Sequence, residues 1–284
     1  MSRYIVLCLL SLMLPITGCT PSAESPTPST TASLPSPDTW SLVWADEFDG
    51  AGLPDTTKWA YDVGGHGWGN NELQYYTERR PENARVEDGH LAITARKDTW
   101  DGNDYTSARL VSKVDWTYGR FEARAQLPSG RGTWPAIWML PTNDTYGPDY
   151  WPDNGEIDIM EHVGYAPDTV HATVHTEAYN HTRGTQRGEA VHVPDARSAF
   201  NVYAVEWTPD AIRGFVNDRH YFTFPNERRT DPDASWPEWP FDHPFHFVLN
   251  IAVGGNWGGA EGVDPSIWPQ TMRIDYVRVY RPAE

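Results

Sequence analysis

The chain has 284 residues, of which 39% are hydrophobic, a size and composition that suit one large β-domain or two small ones. Its formal charge of −17 disfavours nucleic acid and anionic membrane surfaces as partners, and a neutral polymer is the more natural substrate class. The only cysteines are Cys8 and Cys19, so the sequence beyond residue 19 can form neither a disulfide nor a thiolate metal site.

Residues 1–18 have the features of a bacterial export signal. Arg3 precedes an apolar run that ends at Leu14 and is too short to span a bilayer comfortably. Cys19 follows a pair of small residues, an arrangement that resembles a lipobox, in which the cysteine is lipidated and becomes the new N-terminus. We therefore predict a protein that is lipid-anchored to a bacterial membrane, at the cell surface or in the periplasm. An ordinary cleaved signal and a secreted protein are the alternative.

Residues 19–39 comprise that cysteine and a Pro/Ser/Thr-rich segment with a single leucine. Such a segment cannot bury enough apolar surface to become ordered, so we predict a disordered linker that holds the rest of the chain off the membrane. From residue 40 to residue 284 the composition changes to short apolar and polar alternations between turn residues, which predicts one folded domain.

The segments of this domain show the two-residue period of strands with one face in a core. The nearly continuous apolar segment 245–253 predicts a central strand, and 202–208 with 211–216 predict a hairpin. No helical period is visible beyond one turn near 196–200, and no repeat is visible. The pattern therefore predicts an all-β sandwich. Further strands are predicted at 91–96, 119–125, 169–175, 221–224 and 272–280.

The stretch Glu-Ile-Asp-Ile-Met-Glu, which ends at Glu161, places three carboxylates within six residues. In a regular strand Glu156 and Asp158 share a face, whereas Glu161 would point to the opposite face. One extra residue, a β-bulge around Ile159 and Met160, would return Glu161 to the side of the other two acids. Crowded carboxylates cost free energy unless one of them keeps a proton, which indicates a function.

Three acids in a row suit the cleavage of a glycosidic bond, which needs a proton donor on one side of the sugar and a nucleophile or base on the other. The predicted bulge puts the outer pair at about 5–6 Å, the separation of a retaining glycosidase. A calcium cluster is an alternative, but the spacing lacks the EF-hand pattern and its glycine. A zinc site of Glu156, Glu161 and His175 is a second alternative, which no other residue supports.

The acidic stretch also resembles the signature of glycoside hydrolase family 16 in its bulged form. Four further sequence motifs occur in the order found in that family. They are Trp-Ala-Asp-Glu-Phe at 44–48, Asn-Asn-Glu-Leu-Gln-Tyr-Tyr at 70–76, Gly-Thr-Trp-Pro-Ala-Ile-Trp-Met-Leu at 132–140 and Ile-Asp-Tyr-Val-Arg-Val-Tyr at 274–280. Within the family the sequence resembles the laminarinases, which are endo-β-1,3-glucanases. The resemblance implies that residues 40–284 form a catalytic β-jelly roll of two curved antiparallel sheets with a concave substrate cleft.

The resemblance also implies a role for each acid. Glu156 would be the nucleophile, Glu161 the acid/base, and Asp158 a hydrogen-bonding partner of the nucleophile. The electrostatics agree, because negative charge on the first two acids drives Glu161 to keep its proton. His175 is expected to bond to these carboxylates or to the sugar, whereas a structural role is favoured for His171.

Tryptophan rings match the flat apolar faces of sugar rings, although most of the 14 tryptophans must be structural. Trp134 and Trp138 share one face of a predicted strand, and the resemblance places both in the cleft. A Gly-rich loop at 254–259 could cover the cleft and does not match a phosphate-binding motif. The predicted substrate-binding residues are Asn71, Arg109, Trp134, Trp138, Asn256 and Trp257.

No cofactor is predicted for catalysis. In similar proteins the positions of Glu47, the Gly89 carbonyl and Asp275 meet on the convex face and bind a structural calcium ion. Their spacing alone does not indicate a site, and a plain surface carboxylate at each acidic position is the alternative.

The leading hypothesis is a monomeric, retaining endo-hydrolase of β-1,3-glucan of the laminarin type, which acts by double displacement and touches a membrane only through its lipid. Alternatives within the family are hydrolysis of mixed-linkage β-1,3-1,4-glucan, agarose, porphyran or carrageenan, and transglycosylation. A non-catalytic glucan-binding lectin and a structural envelope lipoprotein are hypotheses of a different class. The three intact acids disfavour the lectin.

Overall fold

The fold is described from a computed structural model, which covers residues 40–283. The predicted export signal, Cys19 and the linker lie outside the described residues and stay predictions. In the described part of the chain, no helix is long and apolar enough to cross a membrane. The elements are β1 (Trp40–Asp46), β2 (Trp59–Tyr61), β3 (Gln74–Tyr76), β4 (Ala84–Glu87), β5 (His90–Ala95), β6 (Tyr105–Ser107), β7 (Arg109–Trp116), β8 (Gly119–Gln126), β9 (Thr133–Pro141), α1 (Tyr150–Asp153), β10 (Glu156–Glu161), β11 (Thr169–His175), β12 (Arg187–His192), β13 (Asn201–Trp207), β14 (Ala211–Val216), β15 (Arg219–Pro225), a 3-10 turn (Glu227–Arg229), β16 (Phe245–Val253) and β17 (Gln270–Pro282).

Two antiparallel sheets form a β-jelly roll, which confirms the predicted all-β class. The seven-stranded sheet has the order β12-β11-β10-β9-β16-β7-β2. The eight-stranded sheet has the order β15-β14-β13-β8-β17-β5-β4, with β1 also paired to β17. The predicted central strand is β16, and it lies inside the seven-stranded sheet between β9 and β7.

Apolar side chains that alternate along the strands fill the space between the two sheets. On β9, Ile137 and Met139 are fully buried, whereas Trp138 on the opposite face is partly exposed. From the eight-stranded sheet, the buried ring of Trp207 lies 5.2 Å from the ring of Phe245 on β16. Because one face of the seven-stranded sheet belongs to the core, its other face is available for a cleft.

The remaining predicted strands occur within two residues of their expected ends. The predicted hairpin is confirmed, since β13 and β14 pair with Trp207 opposite Ile212. The single turn expected near 196–200 is present, and in it the Ala199 N–H donates to the Asp195 carbonyl oxygen over 2.8 Å. The two short helical segments were not predicted, because three or four residues cannot show a helical period.

Candidate active site

Strand β10 carries the acidic row, and its pairing contains the predicted bulge. On the β9 side, Asp158 pairs with Trp138 and Met160 pairs with the adjacent Ile137, so two residues of β10 advance against one of β9. The register against β11 shifts in the same interval. The extra residue turns into the core, and Glu161 returns to the cleft face with the other acids. A regular strand would have placed this carboxylate between the sheets.

The acids lie where two open cavities meet on the outer face of the seven-stranded sheet. The tryptophan cavity has a volume of about 350 Å³, and its lining includes Trp68, Glu72, Arg109, Trp134, Trp138 and Trp151. The histidine cavity has a volume of about 570 Å³, and its lining includes His171, His175, His181, Glu189, Asn256 and Trp257. Glu156 and Glu161 line both cavities, which therefore form one cleft with these two carboxyls at its middle.

Each outer carboxylate accepts a hydrogen bond from a tryptophan. Trp151 Nε1 donates to Glu156 Oε2 over 2.9 Å, and Trp134 Nε1 donates to Glu161 Oε1 over 3.0 Å. His175 Nε2 lies 3.7 Å from Glu156 Oε1. Separate donors thus hold the two carboxylates, and each group has a fixed orientation toward the cleft.

Asp158 lies between the outer acids and is buried. Its Oδ2 atom has no hydrogen-bond partner within the described residues and lies 3.5 Å from His175 Nε2. Among residues 40–283, Glu156, Asp158 and His175 are the group whose ligand atoms are close enough to share a metal ion, all lying within 4.8 Å of one another. This group does not include Glu161, which the zinc alternative requires, and the buried Asp158 and His175 lie where their charges act on Glu156.

Burial is the main cause that raises the pKa of all three acids. The charge of Asp158 raises the pKa of Glu156 further, and the charge of Glu161 does the same for the pKa of Asp158. His175 and the two tryptophan N–H groups oppose these shifts at the outer acids. Such a row titrates as a unit and keeps a proton at a pH where free carboxyls are ionised. One member can then act as an acid while another is an anion.

The tryptophan cavity is built around an arginine that stacks between two indole rings. The guanidinium carbon of Arg109 lies 4.6 Å from the ring centroid of Trp68 and 4.8 Å from that of Trp138. Its Nε atom donates to Asp62 Oδ2 over 2.9 Å. Trp134 and Trp138 both face this cavity, as their even spacing predicted, and Arg109 lines it too. Stacking and the ion pair together fix this wall of the cleft.

The structure places Asn71 beside the cleft and not in the lining of either cavity. Its Nδ2 atom donates to Asn256 Oδ1 over 2.8 Å. The neighbouring Asn70 lines both cavities, and its carbonyl oxygen accepts the Asn256 N–H over 2.7 Å. In this structure Asn71 therefore fastens the Gly-rich loop, and Asn70 is the residue that faces the cleft.

The Gly-rich loop carries Trp257 onto the wall of the histidine cavity. The Trp257 ring lies 5.6 Å from that of Trp134 and 5.0 Å from that of His171, edge-on to both. His171, for which the sequence favoured a structural role, thus lines the cleft. A Cβ atom at Gly258 would lie 2.6 Å from the Gly254 carbonyl oxygen, so this close approach requires glycine.

Several cleft residues were missed by the sequence analysis. Trp151 lies in the four-residue α1 and His181 lies in a loop, and neither segment has a period that shows which side chains face the cleft. Asn250 is a polar interruption in the apolar strand β16, and that interruption was an available signal. Glu72 belongs to the motif at 70–76 that resembles the family, but its position in the cleft follows only from the fold.

The predicted calcium ligands have other partners. Both oxygens of Glu47 accept hydrogen bonds from Arg278, each over 2.8 Å. Asp275 accepts from Arg124 and lies 3.7 Å from His90 Nε2. Neither Gly89 nor Asp275 lines the cavity beside Glu47. In this structure each of the two carboxylates is thus paired with an arginine, and the calcium site stays a prediction.

The jelly roll has two carboxyl groups in the middle of an open cleft. One of them can hold a proton while the other is an anion, and this arrangement is the active site of a glycoside hydrolase. Residues 71–278 match the sequence profile of Glycosyl hydrolases family 16. The chain therefore belongs to that family, and the enzyme class expected from the acidic row is confirmed.

Among known proteins, a beta-glucanase of Rhodothermus marinus is 67% identical over 247 residues, which are 86% of each chain. The X-ray structure of the laminarinase from Rhodothermus marinus superimposes with a TM-score of 0.86 at 66% identity, covering 86% of this chain and 98% of that one. A non-specific endo-beta-1,3(4)-glucanase of the same family, SCLam, co-crystallised with 1,3-beta-D-cellotriosyl-glucose, has a TM-score of 0.80 and 44% identity, covering 86% and 96% of the two chains.

Proposed function

We propose that the protein is a retaining endo-β-1,3-glucanase that cleaves laminarin-type glucan by double displacement. The observation that carries this proposal is the bulge of β10, which puts Glu156 and Glu161 on the same cleft floor. The names of the similar proteins support the substrate class, since they include a beta-glucanase, a laminarinase and a β-1,3(4)-glucanase.

In the first step the Glu156 carboxylate attacks the anomeric carbon while Glu161 gives its proton to the departing glycosidic oxygen. The Trp151 N–H holds the attacking carboxylate by its other oxygen. The raised pKa of Glu161 favours the protonated form that an acid catalyst needs. In the second step Glu161 takes a proton from a water molecule while the oxygen of that water attacks the anomeric carbon, which breaks the bond to Glu156 and releases the sugar. The charge of Asp158 raises the pKa of Glu156 and so makes its carboxylate a more basic nucleophile in the first step.

The cleft supports endo-acting cleavage of a neutral polymer. Both cavities are open and they continue on either side of the acids, so a glucan chain can lie across the middle of the sheet. Tryptophan rings line the cleft and offer flat apolar surfaces to the sugar rings. The formal charge of −17 disfavours sulfated galactans such as carrageenan.

The test is product analysis of purified enzyme on laminarin, mixed-linkage β-1,3-1,4-glucan and agarose. We expect laminarin to release reducing sugar, with a β-configured anomeric proton in the first product by NMR. Glu156→Ser should bind laminarin without cleaving it, and Glu261→Gln, at an exposed position, should behave like wild type. An α-configured first product would falsify the retaining mechanism. Binding without cleavage by wild type would support the lectin hypothesis, and preference for another polymer would overturn the substrate class.

We also propose that the enzyme is exported and lipid-anchored through Cys19, with residues 20–39 as a spacer. The sequence features of residues 1–39 support this proposal. Incorporation of a radiolabelled fatty acid should be lost in Cys19→Ala and kept in Cys8→Ala. Label in both variants, or in neither, would contradict the assignment.

We expect the domain formed by residues 40–284 to elute as a monomer in size-exclusion chromatography.

A calcium ion at Glu47, Gly89 and Asp275 remains a separate prediction. Binding there would replace Arg278 and Arg124 as the partners of the two carboxylates. A melting temperature that rises in calcium chloride and falls again in EDTA would support the site, provided that Glu47→Gln removes the rise. An unchanged melting temperature would exclude a stabilising ion.

A further inference from the structure

One carboxyl group in the tryptophan cavity has no part in the proposed cleavage steps. Glu72 lies two residues before β3 and lines the tryptophan cavity. Its backbone forms a bridge with Gly254, at the start of the Gly-rich loop. The backbone of Glu72 is therefore fixed beside the loop that carries Trp257.

The Glu72 carboxylate ends a hydrogen-bond chain that begins at Trp138. Trp138 Nε1 donates to Asn250 Oδ1 over 2.7 Å, and Asn250 Nδ2 donates to the Tyr76 hydroxyl over 2.9 Å. The Tyr76 hydroxyl in turn donates to Glu72 Oε2 over 3.3 Å. Asn250 and Tyr76 are buried, so bulk water cannot replace a lost partner.

The direction of this chain is fixed by the chemistry of its members. An indole N–H can only donate, so Asn250 must turn its oxygen to Trp138 and its NH₂ to Tyr76. The Tyr76 proton then needs an acceptor. Gln74 Nε2 donates to the same Glu72 oxygen over 2.6 Å, because the Gln74 oxygen already accepts a backbone N–H of β16. Two donors thus meet at one oxygen, which a carboxylate can satisfy because it only accepts.

The same series of hydrogen bonds supports both indole rings that flank Arg109. The ring of Tyr76 packs edge-on against Trp68 at 5.2 Å, and its hydroxyl is bonded through Asn250 to Trp138. Arg109 lies between those two indole rings. A change at Glu72 would therefore reach the stacking surfaces of the cavity without any change in the catalytic acids.

We propose that Glu72 is a positioning residue for glucan binding. Through Tyr76 and Asn250 it holds the Trp138 ring in the orientation on which a sugar ring of the bound glucan stacks. This inference rests on the proposed function, since the orientation of Trp138 matters only where a glycan occupies the cleft.

The test compares kcat and KM on laminarin for Glu72→Ala, Tyr76→Phe and the near-isosteric Glu72→Gln. Glu72→Ala leaves buried donors without an acceptor, so we expect KM to rise about tenfold while kcat changes less than about threefold. Tyr76→Phe keeps the ring but breaks the chain and should show the same split. Glu72→Gln can still accept both bonds through its amide oxygen, and its KM should stay within about threefold of wild type.

A double-mutant cycle with Trp138→Phe decides whether Glu72 acts through the indole. Once the N–H is gone, adding Glu72→Ala should raise KM by less than about twofold. A full further tenfold rise, or an unchanged KM in both Glu72→Ala and Tyr76→Phe, would overturn the proposal. Loss of kcat alone would also overturn it. Failure of wild type to cleave laminarin is a different outcome, because it contradicts the proposed function before any variant is compared.

Discussion

The two cavities that meet at the acids are built in different ways. The tryptophan cavity stands largely on the central strands β9, β16 and β7, and its polar groups are joined by the chain from Trp138 to Glu72. The histidine cavity is formed by β11, the exposed edge strand β12 and the Gly-rich loop. The tryptophan side of the cleft is thus joined across strands by hydrogen bonds, whereas the histidine side ends at an exposed sheet edge. We infer that the tryptophan side contributes most of the binding free energy and that the histidine side admits the rest of a long glucan.

The largest expected effect comes from a residue that both cavities share. Glu161→Ala removes the proton donor, so kcat/KM on laminarin should fall by about 10²–10⁴. An aryl β-glucoside with a good leaving group needs no protonation, and the burst of its aryl alcohol should remain close to wild type. Glu261→Ala is the exposed control. Equal losses on both substrates would show that Glu161 is not the acid.

A second pair of variants compares the two sides directly. Trp138→Ala removes a stacking surface that is held by a hydrogen bond to Asn250. The loss should weaken the free energy of glucan binding by about 2 kcal/mol, which raises KM about thirtyfold. Trp257→Ala acts on the histidine side, beside the exposed edge strand, and should raise KM by about fivefold. KM values on laminarin, with circular dichroism to confirm folding, check this order. A reversed order would contradict the inference that the tryptophan side contributes more binding free energy than the histidine side.

The pH profile should separate the two tryptophan donors. The Trp134 N–H stabilises the anion of Glu161 and the Trp151 N–H stabilises that of Glu156, so both lower the pKa of their partner. Removing either donor raises that pKa. With Trp134→Phe the acid stays protonated to higher pH, and the alkaline limb of kcat/KM should move up by about one unit. With Trp151→Phe the nucleophile is protonated at higher pH, so the acidic limb should move up and narrow the optimum. Movement of the opposite limb in either variant would reverse the assigned roles.

The smallest effect is expected at His181, an exposed residue that lines both cavities. Its ring lies 5.2 Å from that of His175 and 5.0 Å from that of Trp151. Because solvent can replace its contacts, His181→Ala should change KM by less than about threefold. Initial rates on laminarin of different chain lengths measure this change. A tenfold rise in KM would mean that this exposed ring binds sugar as firmly as the tryptophan rings.

The sequence could predict what depends on a local period. The two-residue alternation placed Trp134 and Trp138 on one face, and the mismatch of Glu161 with that period required a bulge, which the pairing of β10 contains. The family resemblance added the jelly roll and the position of Arg109 in the cleft.

What could not be predicted depends on contacts between distant segments. Trp151 reaches the acids from the short α1 and His181 from a loop, where the direction of the backbone is set by tertiary packing and not by a repeating pattern. The hydrogen-bond chain from Trp138 to Glu72 includes a bond between Asn250 and Tyr76, which are 174 positions apart, a relation that no local period contains. Asn70 and not Asn71 lines the cleft, because adjacent residues of a turn point to different sides.

The bulge of β10 also sets how this strand responds to the loss of one codon. A deletion of Met160 would remove the extra residue and place the two outer acids four positions apart, a spacing that a regular strand puts on one face. The acids would then stay in the cleft, and the cost would fall on the core, which would lose a fully buried side chain. A one-codon deletion at this point is therefore absorbed by the strand pairing and leaves the row of acids on the cleft side.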